Sequence, residues 1–299
     1  MFINTNTRII APEFDFAQPE TLADAFALVE KHGKDARLLA GGTDLLVQMK
    51  MERLSPSWVI SLAKVAELNG ITSDKGLNIG AMTSIKAVSA SPEVKAGYAA
   101  LVEACNSYST VSIMLMGTIG GNVCNASPAS DTAPALMVFD ASVVLKSAKA
   151  TRKVLLRDFF TGPGKTVLKE GEILTAIELP EPAAGTGSAF LKISRVVADI
   201  SQVCAAVSLV RDGDKITDCR IALGSVAPTP IGMKDAVDSL IGHKGTPEAF
   251  ARAAEIVAND IKPITDVRAT KEYRRQAARI IVRDALQTAW QRAAKGAGK

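Results

Sequence analysis

The chain has 299 residues, of which 47% are hydrophobic, 22% charged and 5% aromatic, with a formal net charge of +4. That length accommodates two domains, and that apolar content can fill a substantial core. The mild charge and the scarcity of aromatic residues argue against nucleic acid as a partner.

Along the chain, Thr21 to His32 reads as a helix. Thr21 caps it, Asp24 sits at the capping-box position, Ala25, Leu28 and Val29 share one face, and Gly33 ends it. Arg37 to Ala40 reads as a strand, Gly41-Gly42 as its exit, and Asp44 to Met51 as a short helix that Asp44 can cap. Trp58 to Leu62 and Leu77 to Met82 read as strands around a turn at Ser73-Asp74-Lys75-Gly76. Thr83 to Val88 and Ala96 to Cys105 read as helices. A loop over 117–131 follows. Ser142 to Ser147, Arg152 to Leu156 and Ile173 to Leu179 then read as strands, and this α+β domain ends near Pro180. Helices and strands do not alternate strictly enough for a doubly wound sheet.

Glu181 to Gly187 is rich in Pro, Ala and Gly, as a linker is. Beyond it, Ala189 to Ile193, Gln202 to Val210 and Ile216 to Leu223 read as three strands. Asp212-Gly213-Asp214 turns the last two into a hairpin. Helices are expected at Met233 to Ile241, Pro247 to Val257 and Thr270 to Ala294. The expected domains are therefore 1–180, with lobes of about 1–55 and 56–180, and 188–299. No solenoid or propeller repeat is present.

Two segments carry the chemistry. Ala40-Gly41-Gly42-Thr43-Asp44-Leu45-Leu46 and Gly117-Thr118-Ile119-Gly120-Gly121-Asn122, running on to Asp131, each place a Gly-Gly pair after an apolar run and before small polar residues. Paired glycines let the backbone approach a ligand closely, and successive outward N–H groups form an anion-binding concavity. One such pair is usually a tight turn. Two of them suit a ligand with two phosphates and a long body, a dinucleotide. No G-x-G-x-x-G opens a helix and no G-x-x-x-x-G-K-[ST] is present, so neither a Rossmann site nor a P-loop is supported.

Cys105, Cys124, Cys204 and Cys219 form no C-x-x-C and fit no zinc or iron–sulfur spacing; buried thiols are the better reading. The two histidines, His32 and His243, offer no triad or metal cluster. The N-terminus shows no basic region before an apolar core, and no apolar run reaches membrane-spanning length. A cytoplasmic protein with no signal peptide and no membrane span is expected.

The two glycine segments resemble those of the FAD-binding subunit of molybdenum hydroxylases, a family that includes xanthine and carbon monoxide dehydrogenases. Phe159-Phe160-Thr161-Gly162-Pro163-Gly164-Lys165-Thr166, Glu172-Ile173-Leu174, Phe190-Leu191-Lys192-Ile193-Ser194-Arg195 with Asp199-Ile200, and Arg268 to Arg275 extend the resemblance over essentially the whole chain. The Thr161 to Lys165 stretch and Gly224 to Pro230 lean toward bacterial xanthine dehydrogenase-like members. The fold implied is α+β: a two-lobed FAD-binding domain of the vanillyl-alcohol-oxidase (PCMH) type, then a small three-stranded antiparallel sheet with a helix bundle.

For a bound flavin, Gly41, Gly42, Thr43 and Gly121 can offer N–H donors to the pyrophosphate. Asn122, Ser127 and Asp131 can serve its hydroxyls; Asp131 can equally cap a helix beginning at Thr132. The resemblance places Tyr108 near the isoalloxazine, Cys124 near the ring face open to the acceptor, Lys192 at the ring edge, and Leu174 in contact with the ring. For Tyr108 a core aromatic with a bonded hydroxyl is an equal reading, and for Lys192 the alternative is a solvated strand lysine. Leu39, Ala40, Asp44, Leu45, Thr118 and Gly120 complete the implied cofactor-binding set. No catalytic residue toward the hydroxylated substrate and no metal ligand is expected. The basic stripe Arg268, Lys271, Arg274, Arg275, Arg279 and Arg283 reads as a solvated helix face rather than a site for an acidic partner.

The resemblance implies an electron-transfer subunit. Its partners would be a small subunit with two 2Fe-2S clusters and a large subunit with the molybdenum cofactor, in a dimer of heterotrimers. The large subunit would hydroxylate a purine, another N-heterocycle or an aldehyde, and electrons would leave through FAD to NAD or another acceptor. A stand-alone flavin oxidase of the vanillyl-alcohol oxidase type and a non-catalytic assembly module without FAD are the alternatives.

Overall fold

The computed structural model describes residue 10 and residues 12–296. It begins with a small parallel sheet and its covering helices. β1 (Asp15–Ala17), α1 (Leu22–His32), β2 (Ala36–Leu39), α2 (Leu45–Lys50) and β3 (Trp58–Ser61) follow one another, and the strands pair in the order β1-β3-β2. Thr21 accepts the Asp24 N–H at 3.1 Å, and Gly33 ends α1 with φ of +48°, as its sequence predicts. His32 stacks on Trp58 with ring centroids 3.9 Å apart.

Next come β4 (Ile71–Ser73), β5 (Gly76–Gly80), α3 (Ile85–Ala90), α4 (Pro92–Gly97), α5 (Ala99–Asn106), α6 (Val111–Met116), α7 (Ile119–Asn125) and α8 (Thr132–Met137). They lead to β6 (Ser142–Lys146), β7 (Thr151–Leu155), β8 (Phe160–Gly162), β9 (Lys165–Thr166) and β10 (Ile173–Pro180). Five of these strands form an antiparallel sheet ordered β4-β5-β10-β6-β7. Two expectations change here. The turn at Ser73 to Gly76 joins β5 to the short β4, whereas Trp58 to Ser61 belongs to the parallel sheet. The loop expected over 117–131 contains α7 and the mouth of α8.

The last part is a sheet ordered β11-β12-β13-β14, from β11 (Thr186–Ile193), β12 (Val203–Asp212), β13 (Lys215–Gly224) and the two-residue β14 (Ile231–Gly232). The fourth strand is too short to carry a periodic signal. α9 (Lys234–Asp238), α10 (Pro247–Asp260) and α11 (Lys271–Gly296) complete it. β12 is buried on both faces. Val203, Ala205, Val207 and Leu209 pack with Phe250, Val282 and Leu286, while Cys204 and Ala206 join the core of α5 and α8. Strand side chains alternate between faces, so this sheet is shared by two cores.

Arg274 departs from the solvated face expected of it. It is 3% exposed and donates to the carbonyls of Gln202 and Ser225, each at 2.8 Å, and to Asp266 at 2.7 Å. A guanidinium's fixed fork can satisfy several buried acceptors at once, and that makes burying it tolerable.

Candidate functional site

The two glycine segments meet. A Cβ built on Gly41 would lie 2.0 Å from the Met116 carbonyl oxygen, and one on Gly121 would lie 3.5 Å from Ala40 Cβ. A Cβ on Gly120 would lie 2.7 Å from the Ala81 carbonyl oxygen. Gly42 has φ of +73°, a left-handed conformation that favours glycine. The glycines thus permit backbone to approach backbone, and they draw α2 and α7 around one cleft, with the end of α6 packed behind Gly41.

That cleft has a volume of about 500 Å³, within the range of small-molecule and cofactor sites. Ala40, Gly41, Gly42, Thr43, Asp44 and Leu45 line it from the first segment. Thr118, Gly120, Gly121, Asn122 and Cys124 line it from the second, with Tyr108 and Leu174. Leu174 sits at a register shift between β10 and β6, and such bulges re-aim side chains.

The two segments differ in their free donors. The N–H groups of Gly41, Gly42, Thr43, Asp44 and Leu45 donate to no acceptor among the described residues. This run leads into α2, whose first turn leaves its donors open. In the second segment Ile119 N–H donates to Thr83, Gly120 N–H to Ala81, and Gly121 N–H to the Thr118 hydroxyl at 3.0 Å. Gly121 therefore has no spare N–H for a phosphate, because it lies in the first turn of a capped helix.

Asp44 occupies the N-cap of α2, yet its side chain makes no cap bond. Burial raises its carboxyl above the usual carboxylate range, and a hydrogen bond from Asn125 partly offsets this. Tyr108 accepts from Asn122 Nδ2 at 3.2 Å; burial, then the Asp44 charge, pushes its phenol up to about 12. Burial alone pushes the Cys124 thiol up to about 12.

Four expected residues do not line the cleft. Leu39 lies behind Gly42, its Cδ1 3.1 Å from where a Cβ would stand. Ser127 turns back to accept the Ala129 N–H at 3.2 Å. Asp131 and Lys192 pair with each other at 2.7 Å, and their side chains are 6% and 4% exposed. Lys192 is thus neither a solvated lysine nor a wall of the cleft, and Asp131 makes no cap bond to α8. The cleft also includes residues given no site role in the sequence reading, among them Arg37, Met82, Asn125, Gly164 and Glu172. Glu172 is held by Arg152 at 2.7 Å. The Gly164 and Glu172 motifs are visible in the sequence, but nothing local says they fold onto the glycine segments. Neither histidine lines the cleft.

A cleft with a run of free N–H groups on one segment, apolar and aromatic side chains, and a carboxyl fits an elongated phosphate-bearing cofactor such as FAD. Comparison with known proteins agrees. Residues 12–182 match the FAD-binding domain of molybdopterin dehydrogenases, and residues 188–289 match the C-terminal domain of carbon monoxide dehydrogenase flavoproteins. The carbon monoxide dehydrogenase medium chain of Hydrogenophaga pseudoflava is 33% identical over 96% of this chain and 100% of its own. A xanthine dehydrogenase FAD-binding subunit of Escherichia coli is 34% identical over 87% of this chain and 91% of its own. The solved carbon monoxide dehydrogenase of Hydrogenophaga pseudoflava that lacks the Mo-pyranopterin moiety superposes with a TM-score of 0.91, at 34% identity over 94% of this chain and 98% of its own. The identities to the two branches are level.

Proposed function

The chain belongs to the FAD-binding medium subunits of molybdenum hydroxylases, and we propose that it is the flavin-carrying, electron-transferring subunit of such an enzyme. It works beside a small subunit bearing 2Fe-2S clusters and a large subunit bearing the molybdenum cofactor. Electrons taken from a purine, another N-heterocycle or an aldehyde reach FAD here and leave to NAD or a comparable acceptor, in a cytoplasmic dimer of heterotrimers. The domain boundaries that go with this reading are 1–180 for FAD binding and 188–299 for the C-terminal domain.

The observation that carries the proposal is the free N–H run Gly41 to Leu45 at the head of α2, facing a cleft that the second glycine segment closes. These residues would hold the pyrophosphate, with Thr43 adding a hydroxyl. Tyr108, Cys124 and Leu174 would flank the ring. Leu39 backs the loop, and Ser127, Asp131 and Lys192 act from outside the cleft. FAD would supply the change from the one-electron chemistry of the clusters to the two-electron chemistry of an acceptor such as NAD; the chain supplies binding and tuning. A stand-alone oxidase is not favoured, because the curated relatives above are medium subunits matched over nearly their whole length.

The test is purification of the intact protein with whatever it binds, followed by a visible spectrum and mass analysis. Flavin bands, iron–sulfur absorbance and two partner chains are expected. Failure to retain flavin even after FAD is added overturns the reading.

A further inference from the structure

Tyr108 presents the cleft with a hydroxyl whose hydrogen-bond polarity is fixed from behind. Asn122 Nδ2 donates to the Tyr108 oxygen at 3.2 Å. At its other end, Asn122 Oδ1 accepts from Ser130 Oγ at 2.7 Å and from Thr132 Oγ1. Ser130 and Thr132 are 2% and 0% exposed, and their hydroxyls donate to no other acceptor among the described residues. Ser130 Oγ also accepts the Ala133 N–H at 3.3 Å, so its own proton is the one given to Asn122. Turning the amide over would strand two buried hydroxyl protons. The amide N–H therefore faces Tyr108.

A phenol that accepts from an amide still has one proton to give. No carbonyl or carboxylate among the described residues takes it, and the ring lies on the cleft wall. Asp44, on the same cleft, is the leading charge that bears on Tyr108, whereas Asp131 is paired with Lys192 at 2.7 Å. An anion beside Tyr108 would meet the Asp44 carboxyl, so an uncharged acceptor suits the position better than a phosphate.

We propose that Tyr108 donates its phenolic proton to a carbonyl or nitrogen acceptor of the bound flavin ring, and that Asn122 is the positioning residue that fixes this polarity. The inference rests on the reading of the cleft as the FAD site. A donor there stabilises electron density on the reduced ring, which makes the flavin easier to reduce.

The experiment is titration of the full-length protein with FAD and, separately, with ADP, which carries the phosphates but no ring. A midpoint-potential measurement accompanies each flavin complex. Tyr108→Phe keeps the aromatic ring and removes the proton. It should weaken FAD binding about fivefold to tenfold, leave ADP binding within about twofold, and move the flavin potential to more negative values. Asn122→Asp puts an acceptor oxygen behind Tyr108, which then gives its proton to the carboxylate. This variant should reproduce the FAD loss and the potential shift with Tyr108 in place and ADP binding kept. Unchanged FAD affinity and potential in Tyr108→Phe overturn the proposal. Equal loss for FAD and ADP overturns it too, because the proton would then go to phosphate. A wild-type protein that binds ADP but not FAD overturns both this inference and the functional reading.

Discussion

Lys192, on the first strand after the linker, is ion-paired at 2.7 Å with Asp131 at the mouth of α8, and it also donates to the Ser107 carbonyl at 2.9 Å. The pair is a buried seam between the C-terminal sheet and the FAD-binding part. Burial pushes the Asp131 carboxyl up to about 6, and Lys192 opposes that rise. A folded-state pKa raised above the ordinary 3.8 means that folding disfavours the charged carboxylate. The contribution of Asp131 to stability is full below about 3.8 and is lost as pH rises through about 6. Lys192→Met removes the charge that holds the carboxyl that low. At pH 7.5 it should cost about 3 kcal/mol, and less at pH 5, where Asp131 is protonated in both proteins. Urea denaturation at the two pH values measures this; an equal cost at both would show that the pair does not titrate as described.

The first glycine pair gives a prediction about backbone contact. In Gly41→Ala the new Cβ would press on the Met116 carbonyl, which is backbone and cannot swing aside. Overpacking of this kind costs about 1–3 kcal/mol and should part the two glycine segments. Melting temperature and retained flavin should fall together. A variant as stable and as yellow as the parent would mean that the segments do not touch.

Glu103 on α5 grips β11 and α11 together. Its carboxylate accepts the Phe190 N–H at 2.8 Å and pairs with Arg292, which itself donates to the Ser188 carbonyl at 2.6 Å. Glu103→Ala leaves that N–H without its acceptor, at about 1–3 kcal/mol. Loosened docking should also make the linker at 181–185 easier to cleave. Limited proteolysis with mapping of the first cut checks this, and an unaltered cleavage rate counts against the clasp.

All four cysteines are free. Burial pushes the thiols of Cys124, Cys204 and Cys219 up to about 12, and Cys105 higher still. The thiolate is the reactive form, so the native protein at pH 8 should react slowly at every cysteine, Cys124 in the cleft included. Ellman's reagent should count four thiols after denaturation and less than one promptly before it. Rapid native labelling of Cys124 would show that the cleft is far wetter than its packing.

Much of the candidate site was legible because glycine and capping residues act locally. The helix at Thr21, the strand before Gly41 and the close-approach loop at Gly41-Gly42-Thr43 follow from short-range rules, while the resemblance adds Asp44 and Leu45 to that wall. What was hidden depends on distant partners. Ile119–Asn125 contains Gly-Gly and two asparagines, poor helix formers, yet Thr118 caps it and the Ala81 and Thr83 carbonyls take its first N–H groups. Lys192 reads as a ring-edge cation or a solvated strand lysine until Asp131, far along the chain, is folded against it. Arg274 sits in a run of surface arginines, and only the Gln202 and Ser225 carbonyls reveal that it points inward. The same long-range closure brings Glu172, whose motif is plain in the sequence, onto the cleft.

Gly187, second in β11, has the backbone of α11 pressed on it: a Cβ there would stand 2.0 Å from the Ala289 oxygen and 2.4 Å from the Ala293 nitrogen. The strand that starts the C-terminal sheet therefore gets its cover from a helix about a hundred residues further on, and Arg292 of that helix also reaches Glu103. Contacts of such wide separation form late. During synthesis this cover of β11 can close only after Ala289 and Ala293 have been made, well after residues 12–180.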